Sequence, residues 1–148
     1  RPPGHTATTE ARYAVPPQEA WDTLISFGTW GAWYPEVSKV TAMPDSAGSR
    51  RVLISGEWGD VPTRLTVWDP PHRLRTEMDE GTFSGSWTWD FRPVSGGTLV
   101  TVTEAGEVRS IFFRALMIFN DNAATMLAFH RAFADRLGVQ VQPTVVRE

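Results

Sequence analysis

The sequence predicts an α+β fold: a curved antiparallel sheet of about seven strands wrapped around a long C-terminal helix, with one or two short helices after the first strand. Three observations predict it. In the last third, Leu116, Phe119, Ala123, Met126, His130, Phe133 and Leu137 recur at steps of three and four residues, so they share one helical face. Asp121, Thr125, Arg131, Asp135 and Arg136 fall on the opposite face. From Val37 to Gly106 the period is mostly two, with turn residues between the runs. The order is then strand, short helices, strands, long helix, and one sheet that lays its apolar face on the last helix satisfies it.

Taken in order, Arg1 to Gly4 read as a loose start. His5 to Val15 alternate, with Ala7, Thr9, Ala11, Tyr13 and Val15 on one side and Thr6, Thr8, Glu10 and Arg12 on the other, which is a strand with one wet face. Pro16 ends it. Pro17 suits a first helical turn, where its missing N–H costs nothing, and Glu19 puts negative charge at the positive end of the helix dipole. Ala20, Trp21, Leu24 and Ile25 give that helix an apolar stripe to about Ser26. Gly28 breaks it, and Thr29 to Tyr34 make one further turn carrying Trp30 and Trp33 before Pro35.

Six strands follow: Val37–Met43, Arg50–Glu57, Val61–Asp69, Arg73–Asp79, Phe83–Arg92 and Thr98–Ala105. Short turn-forming links such as Pro44-Asp45, Gly59-Asp60 and Ser95-Gly96-Gly97 imply an antiparallel meander. In Phe83–Arg92, Phe83, Trp87, Trp89 and Phe91 share one face with Gly85, and Ser84, Ser86, Thr88 and Asp90 share the other. Ser110 is a candidate cap for a helical piece from Ile111 to Phe119, which Asn120-Asp121-Asn122 would kink or divide from the rest. Gly138 stops the long helix, and residues 139–148 read as a loose tail. One domain, 1–148, accounts for the whole chain.

Composition removes several function classes. The formal net charge is −3, so there is no electrostatic case for nucleic acid or an anionic membrane surface. Lys39 is the only lysine, and arginine carries the remaining positive charge. With no cysteine there is no thiolate metal site and no cysteine nucleophile. His5, His72 and His130 are scattered over strand, turn and helix, so no metal site and no cofactor are expected. The longest apolar run, around Ile111 to Phe119, is broken by Arg114 and falls short of the roughly 18 residues of a membrane span. A cytoplasmic location is the expectation, with membrane anchoring the alternative if a segment precedes Arg1; the oligomeric state stays open. Seven Trp and eight Phe in 148 residues call for either a bulky core or a lined pocket.

The sequence resembles the START-like and Bet v 1-like helix-grip superfamily (SRPBCC proteins), and within it the polyketide cyclase/dehydrase-like branch. The likeness is carried by Pro17-Gln-Glu-Ala-Trp21, Phe27, Trp30-Gly-Ala-Trp33-Tyr-Pro35, Trp68-Asp-Pro-Pro71 with His72-Arg-Leu74, Gly85-Ser-Trp-Thr-Trp89, Pro93, Gly96-Gly-Thr98 and Gly106-Glu-Val108. It extends over nearly the whole chain and implies a cavity between sheet and helix. Relatives of this type include lipid and sterol carriers and aromatic cyclases, so the resemblance implies a fold and no particular reaction.

The leading expectation is a binder of a small hydrophobic or aromatic ligand, lined by Trp30, Trp33, Trp87, Trp89, Phe91, Met126, His130 and Phe133. The second is an aromatase/cyclase- or dehydratase-type enzyme with His130 or Glu104 as its acid–base group. The third is an interaction module without ligand. Each residue also has a plainer reading: His130 as a core histidine satisfied by a carbonyl or water, Glu104 as an ion-pair partner of Arg109, Arg51 or Arg64, and the tryptophans as bulky core. Trp58 and Trp68 are assigned to the outer face. An enzyme requires an acidic or basic residue inside the cavity beside a second polar group, a carrier only an apolar space, and an interaction module an exposed apolar patch.

Overall fold

Alternation of small and apolar residues gives the first strand, β1 (Gly4–Tyr13), an inward side of Ala7, Thr9, Ala11 and Tyr13, all buried. The computed structural model describes residues 4–57, 59–80, 83–108 and 122–147. Helix α1 (Pro17–Ile25) starts on its proline and buries Ala20, Trp21 and Leu24. A 3-10 turn (Phe27–Thr29) leads into the single-turn helix α2 (Trp30–Trp33). Strands β2 (Val37–Ser46), β3 (Ser49–Gly56), β4 (Gly59–Asp69), β5 (Arg73–Glu80), β6 (Phe83–Val94) and β7 (Gly97–Val108) follow. Helix α3 (Asn122–Leu137) and a short strand, β8 (Thr144–Arg147), complete the described elements.

The strands form one antiparallel sheet in the order β2-β3-β4-β5-β6-β7-β1-β8. Short hairpins join neighbours from β2 to β7, and β1 enters between β7 and β8. Helix α3 lies on β1, and its buried face is Ala123, Met126, Phe129, His130, Phe133 and Ala134. It ends as the sequence predicts: Gly138 takes φ +74° and donates to the Asp135 carbonyl, and Val139 N–H closes on the Ala134 carbonyl. The architecture is a helix-grip fold.

Three expectations change. The sheet has eight strands rather than about seven, because β8 pairs with β1 through Thr144, Val145 and Arg147. Residues 139–147 are therefore no loose tail: Val139 and Val141 pack against the core before the chain turns into β8. Trp68 is not on the outer face. A register irregularity between Leu65 and Val67 inserts one residue, so Leu65 faces Thr76 and Trp68 faces the fully buried Leu74. Trp68 thus sits at the inner rim, its ring 5.3 Å from Trp21 and 39% exposed. Trp58, Ser110 and its helical piece, and the first turns of the predicted long helix from Leu116 lie outside the described residues.

Candidate functional site

Strand register sorts the inner face of the sheet into rows. One row is Phe91, Val100 and Ala11, and the next is Leu74, Trp89, Val102 and Thr9. All seven are buried. The third row changes character: Thr76, Trp87, Glu104 and Ala7. In the fourth, Met78 is followed by Gly85 and Gly106, two facing positions without side chains. The face therefore runs from largely apolar rows, through a row holding a carboxylate, to a pair of facing glycines.

Helices α2 and α3 bring aromatic rings to that face. Tyr34 stacks on Trp30 with centroids 4.3 Å apart and meets Phe129 at 5.2 Å. Phe129 also touches Trp33, Trp87, Trp89 and Phe133, with centroids between 5.3 and 6.1 Å. It is the hub of the cluster, and the seven-residue stripe read from the sequence did not include it. Its spacing of three from Met126 was the signal: a core-facing helix shows a wider stripe than one residue per turn.

Glu104 is half-buried and accepts a hydrogen bond from Trp87 Nε1 to Oε2 at 2.6 Å. It is not a surface ion-pair partner of Arg51 or Arg64: the Arg51 side chain donates to the Pro44 carbonyl, and Arg64 pairs with Glu77. Arg109 lies outside the described residues. Tyr34, at the end of α2, feels the charge of the same carboxylate. Burial holds its hydroxyl well above the usual phenol range, and the negative charges of Glu104 and Glu36 push it further. Glu36 takes a left-handed φ of +69°, which costs a non-glycine residue on the order of 1 kcal/mol or more. Its carbonyl accepts the Glu57 N–H and lies so close to Gly56 that a Cβ there would come within 2.0 Å of it.

His130 is fully buried, held between α3 and β1. Nε2 lies 2.9 Å from the Thr9 hydroxyl and Nδ1 lies 2.7 Å from the Tyr13 hydroxyl. The Tyr13 hydroxyl also donates to the His130 backbone carbonyl at 3.1 Å. A hydroxyl has one proton, so the imidazole that satisfies all three contacts carries its proton on Nδ1: that N–H donates to Tyr13, and Thr9 donates to Nε2. Burial, and then the nearby Arg131 charge, hold the ring neutral, with its pKa down to about 4. His130 is thus a saturated core histidine, satisfied by two hydroxyls of β1 where a carbonyl or water was expected.

The other predicted residues separate clearly. Phe91, Met126 and Phe133 are buried within the hydrophobic core. Trp30, also buried, donates to the Leu24 carbonyl at 2.8 Å, and half-buried Trp33 donates to Thr29 Oγ1 at 3.1 Å. Trp30, Trp33, Trp87 and Trp89 belong to one connected aromatic group. A separate groove of about 510 Å³ lies outside α1, lined by Gln18, Asp22, Ser26, Arg136 and neighbours. Its polar groups face solvent and bond one another, as Gln18 does Asp22, so the inner face remains the candidate site. Among the described residues no group of three or more His, Asp or Glu could hold a metal ion, and no helix is long and apolar enough to cross a membrane.

Comparison with known proteins agrees with this fold. A family model described as "Polyketide cyclase / dehydrase and lipid transport" matches residues 4–138. The Zhui aromatase/cyclase from Streptomyces sp. R1128 superposes with a TM-score of 0.77 at 13% identity, over 91% of this chain and 94% of that one. The di-domain aromatase/cyclase BexL of the BE-7585A biosynthetic pathway gives 0.63 at 17% identity, over 92% of this chain; the chain spans about half, 47%, of BexL. Norcoclaurine synthase from Thalictrum flavum gives 0.70 at 12% identity, over 90% of this chain and 93% of that one. At these identities the likeness is one of fold. No curated protein sequence matches the chain.

Proposed function

The chain belongs to the polyketide cyclase/dehydrase and lipid transport family, and on that premise we propose that it holds a small apolar or aromatic molecule between the sheet and α3. The observation that carries this reading is the third inner row. Trp87 and Glu104 meet there beside the bare Gly85–Gly106 positions, and Trp30, Tyr34 and Phe129 supply aromatic surface around them. Apolar contact supplies the affinity, at about 25 cal/mol per Å² removed from water. The polar row sets orientation. Native mass spectrometry of the protein from its own host should show a retained apolar adduct. No adduct, together with no change in tryptophan emission on titration with 2-acetylnaphthalene or 2-ethylnaphthalene, would sink the reading.

A second reading has its own support. A carboxylate on the inner face, held by the Trp87 N–H, is what acid–base chemistry at a carbonyl compound requires. Glu104 would take a proton from the carbon next to a ketone, and the resulting enolate would recover one from solvent. In heavy water, the wild type should then speed deuterium uptake into the methyl group of 2-acetylnaphthalene. Glu104→Gln should slow that exchange at least 100-fold, the lower end of what such a group contributes. No acceleration by the wild type leaves binding alone.

A further inference from the structure

We infer that the indole N–H of Trp89 is the donor that receives an oxygen atom of the bound molecule, so that the ligand carries a carbonyl or comparable acceptor within its aromatic or apolar body. This rests on the binding reading above. Trp89 is 2% exposed, and its Nε1 has no hydrogen-bond partner in the protein. The three other tryptophans of the cluster each use theirs: Trp30 on the Leu24 carbonyl, Trp33 on Thr29 and Trp87 on Glu104. The side chains of its row neighbours, Leu74 and Val102, carry no oxygen or nitrogen, and the rings around it, Trp30, Trp87 and Phe129, bring no oxygen or ring-nitrogen lone pair to it. A phenylalanine there would fill much of the same space with no orphaned donor. Buried N–H groups are almost always paired, and an unpaired one costs stability that a partner recovers.

An indole N–H only donates, so it selects a lone pair and offers nothing to an ammonium group. Trp89 stands one row inward of the Trp87–Glu104 pair on the same face. A ligand whose oxygen meets Trp89 therefore lies with its adjoining carbons along the polar row. The selected class is a flat, apolar ketone, ester or quinone in preference to a plain hydrocarbon.

Two probes with one carbon skeleton test this: 2-acetylnaphthalene and 2-ethylnaphthalene, which differ by a carbonyl in place of a methylene. Equilibrium dialysis gives the ratio of their affinities for the wild type and for Trp89→Phe. The ratio should fall about 3- to 10-fold in the variant, the worth of one neutral hydrogen bond. An unchanged ratio overturns the Trp89 assignment while leaving the binding reading intact. A wild type that takes up neither probe overturns the Trp89 assignment, and if native mass spectrometry also shows no adduct it overturns the binding reading with it. Should the variant not fold, the wild-type indole 1H–15N spectrum decides: the Trp89 N–H signal should move downfield with the ketone and not with the hydrocarbon, and equal movement overturns the proposal.

Discussion

His130 shows how one residue can tie two distant parts of the chain. Thr9 and Tyr13 precede it by 121 and 117 positions, and their hydroxyls saturate its ring. The ring is neutral in the fold, with a pKa down to about 4, and ordinary in the unfolded chain at 6.5. A depressed pKa means the unfolded state binds the proton first as pH falls. The contribution is therefore complete above pH 6.5, declines below it, and is gone once the pH has dropped through 4. The loss should total on the order of 3 kcal/mol. Urea unfolding at successive pH values checks this; the decline between pH 6.5 and 4 should flatten in His130→Leu, and an equal decline in both proteins would contradict it. Tyr13→Phe removes the proton donor to the His130 carbonyl and the acceptor of Nδ1–H. It should destabilise by about 1–3 kcal/mol, the cost of orphaned buried groups, and a loss below 0.5 kcal/mol would show that water takes the place of the hydroxyl.

At the scale of elements, helix α2 and the start of β2 depend on close backbone approach. Gly56 on β3 faces the carbonyl of Glu36, the residue with positive φ, and a methyl group there would collide with that carbonyl. Gly56→Ala should cost about 2 kcal/mol or more. It should also shift Tyr34 against Trp30 and Phe129, which tryptophan near-ultraviolet dichroism would register; unaltered stability would mean the Glu36 turn is free to move. These elements were legible in the sequence to different degrees. Period-two runs placed β1 to β7, and the aromatic face of β6 stood out because its other face is polar, although edge strand β2 buries no residue. Strand β8 was not legible, since Thr144, Val145, Val146 and Arg147 are all exposed and follow no alternation. The side of Trp68 was misread because the irregularity after Leu65 reverses the alternation, and no residue there announces it. Within the site, Trp87 and Glu104 were both candidates, but their contact depends on the β6–β7 register, which spacing along one strand does not contain. Thr9 and Tyr13 were placed on the correct face, yet nothing local pointed from them to His130.

Among the described residues the sheet presents two edges, and they are guarded differently. Edge strand β2 carries Lys39, the only lysine, together with Pro44 and two register irregularities, all devices that discourage a further strand from pairing. Lys39→Val should leave the fold intact and increase light scattering on concentration; unchanged scattering would show that Pro44 and the irregularities suffice. The opposite edge, β8, leaves Val145 and Val146 43% and 54% exposed.

The insertion of β1 between β7 and β8 also sets a schedule for synthesis. Thr8 on β1 meets Thr103 on β7 across 95 positions of sequence. At roughly 5–20 residues per second, β1 waits on the order of 5–20 s on the ribosome for its first partner strand, and longer for His130. The hairpins from β2 to β7 can zip up in the order they emerge, whereas β1 must be kept unpaired until β7 arrives. Its polar side of Thr6, Thr8, Glu10 and Arg12 is what keeps so long-exposed a strand in solution, so the same alternation that points Thr9 and Tyr13 to the core protects the nascent chain.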